Sequence, residues 1–268
     1  MMKTVFITGA SSGFGHQTAT LFQKQGWNVV ATMRSPQEVQ GLDQLPNVLV
    51  TQLDVQDEAS ITRAVEAGIR HFGRIDVLVN NAGYGQMGVF ESTTREQILK
   101  QFNVNVFGLM DVTRAVLPHM RKQGSGTIIN ISSFAGQVGM PFGSPYISSK
   151  FAVEGFSESL SHELQPLNIS VKLIEPGSVA TNFGSSRQIS KNDIAAYEPI
   201  MTAFFKHLET IFTTLPKASP EDVARTIYEA ATDQQSRLRY VVGGDGQFFI
   251  DSKYQDSNKD FSSLMRDY

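Results

Sequence analysis

TVFITGASSGFG, residues 4–15, reads as a β-branched strand that runs straight into a glycine loop and then into a helix. The loop carries Gly9, Ser11, Ser12, Gly13, Phe14 and Gly15. Glycines let the backbone approach a ligand with no Cβ in the way, and the N–H groups at a helix start, backed by the helix dipole, attract anions. In that order the segment predicts a pyrophosphate cradle at the carboxyl end of the first strand of an α/β sheet. Glycines also serve as plain turns, so the reading depends on the rest of the chain.

Beyond residue 15 the alternation repeats. Short β-branched runs at 28–33, 48–53, 77–80, 126–132, 170–174 and 240–242 join 4–8 as seven predicted strands. Amphipathic runs at 14–25, 58–72, 95–122, 146–164 and 220–232 predict the helices between them. The pattern specifies one domain over 1–268, an α/β doubly wound, Rossmann-type fold with a seven-stranded parallel sheet flanked by helices on both faces. Its ligands belong at the carboxyl ends of the strands. The longest helical run is expected to break near Phe102 to Asn105, where two asparagines interrupt it. Residues 182–218, rich in Ser, Phe and Tyr, carry no strand signal and are expected to form a partly helical, mobile insertion over the site.

Composition narrows the function classes. The 268 residues carry a formal net charge of −3 with 18% charged side chains, which predicts neither disorder nor a field able to hold nucleic acid. The absence of cysteine excludes disulfides, thiolate nucleophiles and zinc–thiolate sites. The five histidines, His16, His71, His119, His162 and His207, include no pair at i, i+4 spacing, so no metal site is expected. The opening MMKTVFITGA meets a strand before any signal-peptide length is reached, and no apolar run approaches the ~20 residues that span a bilayer. The expectation is a cytoplasmic protein with no membrane partner.

At the end of the second strand, VVATMR presents Met33 and then Arg34. Proteins that bind NAD usually offer a carboxylate there to the ribose hydroxyls. With no acid present and a guanidinium able to grip a 2′-phosphate, NADP (NADPH) is favoured, with Ser11 adding a hydroxyl. The alternative is a solvated surface Arg34. Asp54, followed by Val55, stands at the third strand end, where a carboxylate could accept from an adenine amino group. Asn81, Ala82 and Gly83 form a tight turn after the fourth strand that could pack beside the nucleoside.

Tyr146 and Lys150 are four apart at the start of a predicted helix and therefore share a face. An ammonium near a phenol favours the phenolate, which is expected to lower a pKa that begins at ~10 and make Tyr146 a general acid and base. Ser133, at the end of the fifth strand, can donate to a carbonyl oxygen as charge develops on it. A bend at Asn105 would free a backbone carbonyl to hold a water. Each has a plainer role available: Tyr146 half-buried, Lys150 solvated, Ser133 an N-cap, Asn105 a kink.

TGASSGFG at 8–15, NNAG at 80–83, Asn105 in NVNVFG, ISS at 131–133, YISSK at 146–150 and PGSVAT at 176–181 together resemble the short-chain dehydrogenase/reductases, in that family's order. The likeness is close over 3–181 and looser beyond, although RYVVGGDG at 239–246 is similar to the tail of the 17β-hydroxysteroid dehydrogenase-like carbonyl reductases. The resemblance implies that Asn105, Ser133, Tyr146 and Lys150 form a catalytic tetrad. It also implies that Tyr146 and Lys150 touch the cofactor, Lys150 at the nicotinamide ribose, and that Asn105 holds a water continuing the proton relay. Pro176, Gly177, Val179 and Thr181 would lie along the nicotinamide half. The spacing of Tyr146 and Lys150 argues against the enoyl-reductase branch.

The implied reaction is hydride transfer between NADPH and a ketone or aldehyde, or the corresponding alcohol. The substrate is expected to be an apolar or aromatic small molecule, walled by some of Val138, Met140, Phe142, Phe183, Tyr197, Phe204 and Phe205, although core packing explains each of these equally well. An NADP-linked dehydrogenase of steroid or retinoid alcohols is the alternative within the enzyme class. A catalytically silent NADP-sensing protein, or a scaffold with a vestigial pocket, is the alternative outside it. Relatives associate through the helices at 105–122 and 146–164, which implies a homodimer or homotetramer.

Overall fold

The computed structural model describes residues 2–39, 41–179 and 187–254. Seven strands, β1 (Thr4–Thr8), β2 (Asn28–Met33), β3 (Val48–Gln52), β4 (Val77–Asn80), β6 (Gly126–Ile131), β7 (Ile169–Pro176) and β9 (Arg239–Val242), form one sheet in the order β3-β2-β1-β4-β6-β7-β9. Every neighbouring pair is parallel. The predicted α/β sheet is therefore present with all seven strands, each within two residues of its expected bounds. Because β1 lies between β2 and β4, the chain leaves it in one direction and later returns on its other side. That reversal opens a crevice above the carboxyl end of β1, where the glycine loop sits.

Strand side chains feed both faces alternately. Val5 and Ile7 pack with Ala19 and Phe22 of α1 (Gly13–Lys24) and with Val223 and Ile227 of α7 (Pro220–Thr232). Phe6, between them, packs with Ile61 and Val65 of α2 (Glu58–Phe72), Val112 and Val116 of α4 (Gly108–Gln123) and Leu160 of α5 (Ser144–Leu164). Continuous burial of a strand is what a parallel sheet covered on both sides requires. Each fully buried side chain of this size stabilises by about 1.5–3 kcal/mol.

The long helical run does not break. α3 (Arg95–Phe102) continues through one π turn, Asn103–Phe107, into α4, so the asparagines widen the helix instead of ending it. Gly108 lets the next turn press against Val55, which a Cβ would meet at 2.7 Å. The stretch expected to lack strands contains β8 (Gln188–Ile189), which pairs with β5 (Gln86–Met87). Two residues are too few to carry a periodic signal. The helical part of the expectation corresponds to α6 (Glu198–Thr214). α8 (Gly244–Tyr254) is a helix that no sequence pattern announced, since its apolar residues make no one-sided stripe. It joins α6 around an aromatic cluster of Phe134, Phe204, Phe212 and Phe249.

Candidate active site

A cleft of about 1040 Å³ runs along the carboxyl ends of the strands. Its glycine-loop end is shaped by backbone. Gly9 and Gly13 have φ of +68° and +55°, a region L side chains rarely adopt. A Cβ on Gly9 would stand 2.9 Å from Ala82 Cα, and one on Gly15 would run into the Gly9 carbonyl oxygen. Gly15 is thus not in the cleft wall; it supports the loop from beneath. Asn81 fastens the loop, its Nδ2 donating to the carbonyls of Thr8 and Gly9 at 2.9 Å each. Thr8 Oγ1 accepts from the N–H groups of Asn81 and Ala82 at 3.0 Å.

Ser11, Ser12, Phe14, Arg34, Asp54, Val55 and Gly83 line the same cleft. Arg34 is exposed just beyond Met33, and its carbonyl accepts from Gln52 Nε2 at 3.1 Å. Asp54 Oδ1 accepts from the N–H of Gln56 at 3.0 Å, which fixes the turn after β3. A loop that a Cβ would fill, followed by a helix start and an arginine, could hold a dinucleotide, so the residues present fit that group.

Ser133, Tyr146 and Lys150 meet on one wall. Ser133 follows β6 directly, and its Oγ accepts from the N–H of Ala135 at 3.1 Å. It is therefore an N-cap and a site residue at once, because its hydroxyl also bonds Tyr146. Lys150 Nζ donates to the Ile131 carbonyl at 2.7 Å and lies 5.8 Å from the Tyr146 ring centre. Burial pushes the Lys150 ammonium down to about 8, and the Glu154 charge pulls it back up. The phenol differs from expectation: burial pushes Tyr146 above its usual 10, and the Ser133 bond and the Arg187 guanidinium only moderate that rise. The expected lowering assumed that the lysine charge outweighs desolvation, and here desolvation wins.

Asn105 is not in the wall. It is 2% exposed, with Oδ1 accepting from the Tyr84 N–H at 3.1 Å and Nδ2 donating to the Tyr84 carbonyl at 2.9 Å. Its link to the cleft runs through Gly83 and Tyr84, which do line it. Pro176, Gly177 and Val179 form the wall after β7, whereas Thr181 and Phe183 lie outside the described residues. Of the candidate substrate residues, Met140 and Phe205 reach the cleft. Val138, Phe142 and Phe204 pack in the aromatic cluster behind it, and Tyr197 Oη donates to Glu91 at 2.9 Å.

Other residues of the site were not anticipated. Ile147, Leu208 and Phe212 add apolar wall, and Arg187 adds a cation that no motif marked. Asp245, fully buried at the start of α8, accepts from the Ser178 N–H at 2.6 Å and occupies the space a Cβ on Gly177 would need. The acid after two glycines in GGDG was the available signal for it. Among the described residues no cluster of three or more His, Cys, Asp or Glu could hold a metal, and no helix is long and apolar enough to cross a membrane.

The family model described as short chain dehydrogenase matches residues 3–192, spanning the glycine loop and the Ser133, Tyr146 and Lys150 wall. The chain belongs to the short-chain dehydrogenases. This short-chain dehydrogenase is an oxidoreductase of that family, and its relatives differ in substrate. It is 46% identical over 189 residues to 3-ketodihydrosphingosine reductase of Bacteroides thetaiotaomicron, covering 70% of this chain and 68% of the relative. It is 35% identical over 253 residues to retinol dehydrogenase 8 of Bos taurus, covering 88% and 80%. A solved short-chain dehydrogenase from Streptomyces avermitilis superposes with a TM-score of 0.85 at 34% identity, covering 99% of this chain and 97% of that one. Cofactors differ among solved relatives. A 3-ketoacyl-(acyl-carrier-protein) reductase from Brucella melitensis is complexed with NADH (TM-score 0.76, 27% identity, covering 90% and 97%). ElxO has NADP bound (TM-score 0.75, 29% identity, covering 92% and 99%).

Proposed function

We propose that this enzyme is an NADPH-dependent carbonyl reductase, or an alcohol dehydrogenase running the same reaction in reverse, that acts on an apolar carbonyl compound. The observation that carries the reading is the convergence of Ser133, Tyr146 and Lys150 on the wall of a cleft whose far end is the glycine loop. When bound, the nicotinamide cofactor supplies or accepts the hydride. The chain's own part is the proton. In reduction Tyr146 Oη donates to the substrate oxygen, and burial that keeps the phenol protonated suits a donor. Ser133 Oγ fixes the same oxygen as its charge grows. The Lys150 ammonium favours the phenolate left behind. Asn105 is assigned the water that passes the proton on, a role supported by the π turn around it, since such turns recur at functional sites.

Arg34 at the cleft edge, with Met33 where an acid would select NAD, supports NADP. The wall of Met140, Ile147, Phe205, Leu208 and Phe212 supports an apolar substrate. The activity that names the ketodihydrosphingosine reductase relative agrees with that class. A second reading, NADP-linked oxidation of steroid or retinoid alcohols, has the retinol dehydrogenase relative in favour of its retinoid form and the RYVVGGDG tail at 239–246 in favour of its steroid form. In this reading the chain works as one domain, 1–268, with 182–218 covering the substrate end. It pairs as a homodimer or homotetramer in the cytoplasm through α4 and α5, beside which Phe107 and Phe151 are 50% and 41% exposed. The test is oxidation of NADPH and NADH with aryl ketones, aldehydes, steroid ketones and retinal, with Tyr146→Phe as control. Turnover with NADPH that collapses in the variant supports the proposal; equal use of NADH removes Arg34 from it, and cofactor binding with no turnover overturns it.

A further inference from the structure

Two carboxyl groups are buried beside the catalytic wall without lining the cleft. Glu154 lies one helical turn after Lys150 on α5 and is 5% exposed; Glu175, the penultimate residue of β7, is wholly buried. Gln137 Nε2 donates to both oxygens of Glu175 at 2.7 Å. Arg239 Nε donates to Glu154 Oε2 at 2.9 Å and stands 3.5 Å from Glu175 Oε1, while its Nη2 donates to Glu158 at 2.6 Å. The groups facing the pair are therefore Lys150 and Glu158 from α5, Arg239 from β9, Gln137 after β6, and Lys253 of α8, which donates to the Gln137 carbonyl at 2.5 Å.

One guanidinium thus serves three carboxyl groups, and the two buried ones are hydrogen-bonding neighbours of each other. Among the described residues no side chain or backbone group donates to Glu154 Oε1, which is walled by Gly136, where a Cβ would meet it at 3.1 Å. A buried, unsatisfied carboxylate oxygen is costly, and two adjacent buried carboxylates do not both ionise readily. A proton carried by Glu175 eases this, since it deletes one of the two charges and turns Glu175 from an acceptor into a donor toward the Glu154 carboxylate. Burial first and the Glu154 charge second push the Glu175 carboxyl up to about 8, in accord with this.

We propose that Glu154 and Glu175 share one proton, and that the single charge this leaves on Glu154 is a positioning group that keeps Lys150 cationic inside the desolvated wall. The importance of that charge for turnover rests on the role given to Lys150 above, but the charge itself can be read without turnover. Lysine-labelled full-length protein, with the Lys150 signal assigned through Lys150→Arg, reports the titration directly by NMR. Wild type should titrate near about 8. Glu154→Gln should move the titration down by about one pH unit, the size of one lost neighbouring charge. Glu154→Asp, which retains a carboxylate, should restore most of the shift. Glu175→Gln, whose amide can still donate to Glu154, should leave the titration in place.

Infrared difference spectra across pH about 8 should show a protonated carboxyl band in wild type that is absent from Glu175→Gln. A Lys150 titration unmoved in Glu154→Gln overturns the positioning role, and absence of the carboxyl band near neutral pH overturns the shared proton. If Glu154→Gln does not fold, Glu154→Met, which removes the charge at similar volume, takes its place: a lowered Lys150 titration supports the proposal and an unmoved one overturns it. If Tyr146→Phe keeps full turnover, the reading of the site fails, while the NMR and infrared results still decide the proton pair.

Discussion

At the glycine-loop end of the cleft the wall is mostly backbone, whereas at the opposite end it is mostly side chain. Gly9, Gly13 and Gly15 succeed by lacking a side chain, and the loop is tied to β4 by the Asn81 amide and the Thr8 hydroxyl. Across the cleft, Phe205, Leu208 and Phe212 of α6 join Phe134, Met140 and Ile147 as apolar wall, backed by the buried Phe249 of α8, which stacks on Phe134 at 5.3 Å and meets Phe212 edge-on at 5.7 Å. A backbone cradle admits one chemical group and tolerates almost no substitution. A wall of rotatable aromatic and aliphatic side chains can be recut without moving the sheet, which is consistent with relatives that share the family and differ in the activity that names them.

The contrast can be tested at both ends and at the wall between them. Tyr146→Phe should have the largest effect, lowering kcat by about a thousandfold, within the range of lost general acid–base catalysis, while NADPH binding followed by fluorescence changes little. Arg34→Ala should raise the Kd for NADPH by about ten- to a hundredfold and leave NADH nearly unaffected, because a charge-assisted phosphate contact is worth about 1.5–3 kcal/mol. If NADPH and NADH weaken equally, Arg34 acts on the loop and not on a phosphate. Gly15→Ala should lower unfolding stability in urea by about 1–3 kcal/mol, since the new methyl has nowhere to go but into the Gly9 carbonyl. Leu208→Ala should have the smallest effect: about a tenfold change in KM for an apolar ketone, with the KM for NADPH unchanged. A matching loss of cofactor affinity there would erase the distinction between the two ends.

Much of this could be read from the chain. The strand–glycine–helix order at 4–15, the β-branched runs and the i, i+4 pair of Tyr146 and Lys150 are local facts, and local geometry follows from them directly. Asn105 shows where such reading stops. The asparagines at 103 and 105 do mark an irregularity, but a kink and a π turn carry the same local signal. The bonds from Asn105 to the Tyr84 backbone, which occupy both ends of its amide, cross 21 residues of chain. The aromatic residues are a second case. Phe142, Phe204, Phe205 and Phe212 are alike in sequence, yet only Phe205 and Phe212 reach the cleft.

The sequence by itself therefore determined the seven strands and their parallel direction, the position of the loop, and the residue types that meet on the cleft wall at Ser133, Tyr146 and Lys150. Periodicity and the steric freedom of glycine act over a few residues. Only the tertiary structure decided the balance of charge. Whether Lys150 or desolvation governs the Tyr146 phenol, whether Arg187 reaches it, and how Glu154 and Glu175 face one Arg239 depend on distances between segments far apart in the chain. Coulomb and desolvation energies are set by those distances and by burial, and neither quantity exists until the chain has folded.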